Sequence, residues 1–303
     1  MRPPPVPAAL AKAIAERFRR MLAPPRVSPY RDFVVGDVAV GLLDRDRAAF
    51  LERWPDVFRV SKASVELQPS LADEAARSAA LHRVCVALSA AGVLSPWRGE
   101  RYAVGEHFGA PPLLHLERAA ARYFGVWTHA AHVNGVLRRG DEVCIWFARR
   151  SFDKAIDPGL LDNLVGGGIS EGFSVPQTVV KESWEEAGIE APLARQALPT
   201  GTLCLVREQP QGLQREHVFS HDLWLPEDFA PRNQDGEAVE HRLLDVHDAA
   251  ACIAGEDVTA DASLVVLGFL LRIGAIAAED PSCEVLQYFC RPPSANSTTT
   301  APR

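Results

Sequence analysis

The sequence predicts an α+β fold, on three observations. Runs rich in β-branched and aromatic residues, Thr128 to Arg138 and Glu142 to Arg149, flank Arg139-Gly140-Asp141, which has the composition of a hairpin turn. Stretches in which apolar residues recur at three and four, such as Leu71 to Ala91, alternate with such runs along the chain. A short apolar run, Leu161 to Val165, leads through Gly166, Gly167 and Gly168 to a stretch with both helix-start and helix-stop residues. At 303 residues the chain has room for one large domain or two modest ones.

Taken in order, the chain starts with a proline-rich segment and a predicted amphipathic helix from Ala8 to Met21. Asp32 to Gly41 reads as two short strands around a Gly36-Asp37 turn, followed by a helix from Arg45 to Trp54 that Pro55 stops. Leu81, Val84, Cys85 and Leu88 mark the buried face of the helix between Leu71 and Ala91. A strand at Tyr102 to Gly105, a turn at Pro111-Pro112 and a helix from Leu113 to Tyr123 complete the front part, in which His107 and His115 read as structural or surface histidines. Beyond the two β-rich runs and the glycine cluster, strands are expected at Leu203 to Arg207, Glu216 to Leu225 and His241 to Val246. Helices are expected at Val246 to Ala254 and Ala262 to Arg272, and a disordered tail from Pro292.

The chemistry concentrates in residues 161 to 189. Ser174 stands at a helix N-cap with Pro176 just inside, nothing breaks the helix before Ala187, and Gly188 is placed to end it. Glu182, Glu185 and Glu186 then lie at i, i+3 and i+4 on one face. Such like-charge pairs cost about 0.2–0.5 kcal/mol each in an isolated helix. A hard divalent cation with oxygen ligands, held between carboxylates and substrate phosphates, reverses that sign. The glycines, read as a loop, allow positive φ and close backbone approach, so loop and carboxylates can line one pocket.

This stretch resembles the box of the Nudix hydrolases, G-x5-E-x7-R-E-U-x-E-E-x-G-U with U apolar. Gly167 begins it, Glu182, Glu185 and Glu186 fall on the metal-binding glutamates, and Gly188-Ile189 closes it. Phe173 stands at the first Glu, Lys181 at the Arg and Ser183 in an apolar slot; Glu171 is a nearby substitute for the missing carboxylate. The likeness extends through His132-Val133-Asn134-Gly135, Trp146 to Ser151 and Lys154 to Gly159 to a subfamily with its own N-terminal domain, related to proteins joined to or annotated with thiamine pyrophosphokinase.

That resemblance implies a Nudix α/β/α sandwich with a mixed sheet, preceded by a smaller α+β domain. The boundaries expected are an arm over 1–25, an N-terminal domain over 26–125, the Nudix domain over 126–285 and a tail over 286–303. It implies Mg2+ or Mn2+ as cofactor, with Glu182, Glu185 and Glu186 as metal ligands, and a small-molecule diphosphate as substrate. Thiamine diphosphate or its oxidised analogues, cleaved to the monophosphate, are the group it points to. Glu237, with Glu240 behind it, is the candidate for a further ligand or base; Gly167, Gly168, Arg149, Arg150, Lys154 and Lys181 are the candidates for holding phosphate. Trp127, Tyr123 and Phe108 are candidates for stacking on an organic ring. Two alternatives stand beside hydrolysis: a non-catalytic diphosphate-binding module, and an isoprenoid-diphosphate isomerase using Cys144 or Cys204.

Composition narrows the setting. Hydrophobic residues at 47% and charged residues at 23% are ordinary for a globular protein, and a net charge of −7 argues against nucleic acid or an anionic membrane as partner. The six cysteines form no CxxC pair and read as buried free thiols of a reducing compartment. The most apolar segment, Ala262 to Ala275, is too short to span a bilayer and carries Arg272, while Lys12, Glu16, Arg17, Arg19 and Arg20 interrupt any secretory h-region. A cytoplasmic location is expected, and a homodimer is left open.

Overall fold

A computed structural model describes residues 3–22, 30–94 and 96–291. The expected tail from Pro292, and the junction expected between the N-terminal arm and the next domain, lie outside these residues. Helix α1 (Ala8–Met21) has the expected bounds. Strands β1 (Arg31–Val35) and β2 (Val38–Leu43) turn on Gly36 at φ 61°, followed by α2 (Arg45–Phe50) and a tighter turn to Arg53. Two strands that the sequence reading did not anticipate, β3 (Phe58–Val60) and β4 (Ser64–Leu67), complete a sheet of order β2-β1-β4-β3. Helix α3 (Glu74–Ala90) starts at Asp73, whose side chain accepts from the Ala76 N–H, and buries Leu81, Val84, Cys85 and Leu88.

The expected helix from Leu113 to Tyr123 is corrected. Its first half is strand β6 (Leu114–Glu117), antiparallel to β5 (Arg101–Val104), with Leu116 opposite Tyr102 and Leu114 opposite Val104. The cause is period two: Leu114 and Leu116 are buried while His115, between them, bonds Glu74 at 2.6 Å. Only after Glu117 does the backbone coil, into a 3-10 turn and α4 (Ala121–Phe124), which Gly125 ends at φ 55°.

The second half is built on β7 (Trp127–Arg139) and β8 (Glu142–Arg150), joined through Gly140 at φ 60°. They pair from the turn back to Gly135 opposite Trp146 and splay beyond that point. The wedge between them holds β9 (Leu161–Asn163), paired with β8, and β10 (Val165–Gly168), paired with residues 130–133 of β7. Helices α5 (Val175–Ala187) and α6 (Ala191–Ala194) follow, then β11 (Leu198–Gln209), β12 (Gly212–Trp224) and β13 (Ala238–Asp245). The order β11-β12-β7-β8-β13, with β12 parallel to β7 and the other pairs antiparallel, makes the sheet mixed.

Helices cover both faces. Val179 and Ala187 of α5 pack with Val133, Leu137 and Leu164 on one. On the other, α7 (Val246–Ala254), α8 (Ala260–Arg272) and α9 (Cys283–Phe289) pack with Val136, Ile145 and Phe147. The architecture is therefore the expected α/β/α sandwich, with an α+β region before it. Helix α1 joins the sandwich rather than the N-terminal sheet: Ile14 and Phe18 are wholly buried in the α7–α9 layer.

Arg17 of α1 is 6% exposed and donates to the Ile253 carbonyl at 2.9 Å, the Val258 carbonyl at 2.7 Å and the Ser263 hydroxyl at 2.7 Å. Removing it strands those acceptors out of water. Arg17→Ala should lower the unfolding free energy by about 2–3 kcal/mol. Urea titration reads this as a lower midpoint at unchanged slope; an unchanged midpoint shows that α1 does not anchor the fold.

Candidate active site

The three glycines do not form the loop expected of them. Gly166, Gly167 and Gly168 are strand β10, and none has positive φ. They are small because three different parts of the chain press on them. A Cβ on Gly166 would stand 2.8 Å from the His132 ring, one on Gly168 2.6 Å from the Tyr102 hydroxyl, and one on Gly167 would overlap the Glu182 side chain. Sheet, acidic helix and N-terminal region thus converge on one bare strand. Gly172, at φ 82°, is a turn residue as expected.

Helix α5 is fixed at both ends. The Ser174 hydroxyl accepts from the Gln177 N–H while the Gln177 side chain accepts from the Ser174 N–H, Pro176 lies in the first turn, and Gly188 closes the helix at φ 66°. Ser183, in the slot where the box carries an apolar residue, is fully buried, and its hydroxyl lacks a hydrogen-bond partner.

The three carboxylates occupy different surroundings. Glu186 accepts from the Gly166 N–H at 2.7 Å, tying helix to strand, and burial raises its pKa well above the ordinary carboxylate value. The Glu182 side chain is 14% exposed against 35% for Glu185, and burial raises its pKa too. Lys181 donates to Glu185 at 2.5 Å and to Glu182 at 3.1 Å. Burial opposes its ammonium, but those two bonds outweigh burial and raise its pKa.

A divalent ion fits this donor set. Among the described residues no three or more acidic, histidine or cysteine side chains are already gathered as a metal cluster. The chemistry of the donors is nonetheless that of a hard cation: two carboxylates held out of water at raised pKa, and a third within one helical turn. Lys181 is the only side chain that compensates Glu182 by direct contact among the described residues.

These groups open on a cavity of about 650 Å3. Gly167, Gly168, Arg150, Lys154, Lys181, Glu182, Glu185 and Glu237 all line it; Glu186 reaches it through Gly166. Lys154 pairs with Glu237, and Arg150 bonds Asp162 at 2.8 Å and the carbonyls of Ile156 and Asp157, so it pins that turn. Arg149 does not reach the cavity: its neighbour on β8 points the other way, and it bonds Glu240 at 2.9 Å and the Gly159 carbonyl at 2.6 Å. Glu240 is thereby occupied as well. Glu171, the substitute considered for the first glutamate, is held by Arg101 at 2.9 Å and His115 at 3.2 Å, while Phe173 lines the cavity.

The ring-stacking candidates also lie elsewhere. Tyr123 is buried in the N-terminal core, Trp127 stacks on His217 at 4.2 Å, and Phe108 packs on His129 and Phe219. Cys144 and Cys204 are outside the cavity lining. What the sequence reading missed is the floor and the inner wall. Thr128, Ala130 and His132 project from alternate positions of β7, a period-two signal present in the sequence. Asp162 and Asp261 flank His132 at 3.8 and 3.9 Å; burial opposes the imidazolium, but the two carboxylates raise its pKa. Arg118, Arg122, Arg215 and Glu216 form the inner wall, brought there by tertiary folding alone.

A glycine strand against an acidic helix, wedged into a splayed mixed sheet, defines a Nudix domain, and residues 128–264 match that domain. Residues 13–128 match a domain of unknown function, DUF4743. Nudix hydrolase 24, chloroplastic, of Arabidopsis thaliana is 36% identical over 259 residues, 84% of this chain and 71% of the relative. Nudix hydrolase 20, chloroplastic, of the same plant is 34% identical with the same coverage. The chain belongs to the Nudix hydrolases, enzymes that cleave diphosphate linkages. Among solved structures, an Ap4A hydrolase of C. elegans is 15% identical, covers 49% of this chain and 99% of its own, and superposes with a TM-score of 0.37.

The raised pKa of Glu186 fixes a sign. Folded, the carboxyl holds its proton to higher pH than unfolded, so stability falls as pH rises from the ordinary glutamate range through the folded pKa. Glu186→Gln keeps an oxygen for the Gly166 N–H and removes that loss. In chelator, the variant should melt above wild type at neutral pH, and the gap should close near about pH 4, where the unfolded carboxyl also protonates. A gap of opposite sign at neutral pH means that the buried charge is already compensated within the fold.

Proposed function

We propose that this chain is a Mg2+- or Mn2+-dependent hydrolase of a small organic diphosphate, with Glu182, Glu185 and Glu186 holding the ion. The observation that carries the reading is Glu186, a carboxylate of raised pKa bonded to Gly166 where the glycine strand borders the cavity. When bound, the divalent ion neutralises phosphate charge and lowers the pKa of a coordinated water. The chain's own groups do the rest. The bare backbone of Gly167 and Gly168 lets a diphosphate lie against the strand, and Lys181 and Lys154 supply positive charge at the cavity wall. Glu237, close enough to Glu182 to raise its pKa, accepts a proton from the attacking water.

Thiamine diphosphate and its oxidised analogues, cleaved to the monophosphate, are the substrate group that the subfamily resemblance supports; the cavity has room for a molecule of that size. The N-terminal region supplies part of its wall, through Tyr102 and Arg118. A cytoplasmic setting is part of this reading, supported by the six free cysteines. No helix among the described residues is long and apolar enough to cross a membrane. The second reading, a diphosphate-binding module without turnover, is favoured by Phe173 on the cavity wall where the box carries its first glutamate.

Product formation with Mg2+, read by chromatography of the monophosphates, over thiamine diphosphate, its oxidised form, ADP-ribose and dinucleotide diphosphates separates the two readings. Turnover of at least one is expected, and Glu182→Gln should lower its kcat/KM by about a hundredfold or more with the circular dichroism spectrum unchanged. Turnover at the wild-type rate in that variant removes the metal assignment; no turnover of any of them leaves the binding module.

A further inference from the structure

The cations around the cavity fall into two groups. Lys181, Lys154, Arg118 and Arg150 each pair with a carboxylate: Glu182 and Glu185, Glu237, Glu100 and Asp162 in turn. Arg122 does not. Among the described residues its guanidinium has no hydrogen-bond or ion-pair partner, although it lines the cavity. The carboxylate that acts on it most strongly, Glu216, already accepts from the Thr128 hydroxyl at 3.1 Å and from the Gln214 amide at 2.9 Å. Arg215 is not a second free cation: its guanidinium donates to the Gly125 carbonyl at 3.1 Å and lies over the Trp127 ring at 4.4 Å.

The backbone that carries Arg122 is fixed. Its neighbours Tyr123 and Phe124 are buried in the N-terminal core, Gly125 ends the turn, and the Arg122 carbonyl sits where a side chain on Gly212 would have to go. A guanidinium on a fixed backbone, facing the cavity without a direct ion pair, is an arrangement that an anionic ligand completes. Its place is also distinct from the acidic helix. Arg118, one turn earlier, is the residue that borders Gly168, and Arg122 lies beyond it, facing the start of β12.

We propose that Arg122 is an anion subsite at the inner end of the cavity, which receives a carboxylate or phosphate carried by the organic half of the substrate. The inference rests on the diphosphate reading for what the substrate is, while the subsite itself needs no turnover. It makes the N-terminal region a determinant of specificity, since the residue that receives the anion belongs to its last helix. Diphosphates with an anionic group beyond the scissile linkage should be preferred to those without one, thiamine diphosphate among the latter.

The test uses the full chain in chelator with inorganic phosphate as probe, by isothermal titration calorimetry. Wild type should bind phosphate, Arg122→Gln at least tenfold more weakly, and Arg98→Gln, at an exposed arginine of the rim, as wild type does. Circular dichroism checks the fold; should Arg122→Gln not fold, Arg122→Lys, which keeps the charge and loses the fork, is held to the same tenfold criterion. No phosphate binding by wild type, or a loss below tenfold, overturns the proposal. In the kinetic arm with Mg2+, the Arg122 variant should lose kcat/KM selectively on diphosphates with the extra anion; an equal loss on thiamine diphosphate assigns the anion to the scissile diphosphate and also overturns it. A chain that binds phosphate through Arg122 yet hydrolyses no diphosphate overturns the catalytic reading alone.

Discussion

The hydrogen bond from the Gly166 N–H to Glu186 is the joint on which the site depends. It is made in a dry place by a carboxylate that burial disfavours, so it persists only because the rest of the fold holds both ends. One end is β10, locked into the gap between β7 and β8. The other is α5, capped at Ser174 and Gly188 and seated on the sheet through Val179 and Ala187. Three glycines in a row follow from the same constraint. Strand and helix come so close that a methyl group at Gly167 would displace Glu182. The usual weakness of glycine in a strand is accepted here for approach, not for turning.

That distinction marks where sequence reasoning succeeded and failed. Local rules were enough for α1, α3 and α5, because caps and periodicity are properties of neighbours along the chain. The β7–β8 hairpin was legible for the same reason. The glycine cluster was found, but its conformation was misread: positive φ and steric clearance both select glycine, and only the packing partner tells them apart. Leu113 to Tyr123 failed because Leu113, Leu116 and Ala120 recur at three and four as in a helix while Leu114 and Leu116 recur at two as in a strand, and only β5 beside them decides. Arg149 and Arg150 look equivalent in sequence, yet adjacent strand residues face opposite sides, and only Arg150 faces the cavity. Arg122 had no sequence signal, since it owes its role to the absence of a partner in three dimensions.

The two regions of the chain are joined by a shared cavity, and its charges are sorted along it. At the acidic helix, carboxylates exceed cations: Lys181 faces Glu182 and Glu185 together, with Glu186 behind them. At the inner wall Arg122 is left without a direct ion pair among the described residues, since Glu216 nearby already has neutral donors. The two proposals together call for a ligand with its metal-binding charge at one end and a further negative charge at the other. Neither half of the chain can present that pattern alone, because Arg122 comes from α4 and Glu182 from α5.

Lys181 shows how a departure from the box pattern can still serve the site. An arginine there would offer a planar fork, fixed in direction; a lysine offers a compact charge on a flexible stem. In the absence of an ion that charge rests on Glu182 and Glu185, which are otherwise like charges on one helical turn. On the proposed reading a divalent cation competes for the same oxygens, and the lysine can swing clear without breaking a bidentate geometry. Its side chain, 43% exposed, has solvent into which to move, whereas Glu186 is held by Gly166. The helix therefore combines one fixed carboxylate with two that share a mobile counter-ion, an arrangement that offsets their like charge without an ion and that the proposed metal role would exploit.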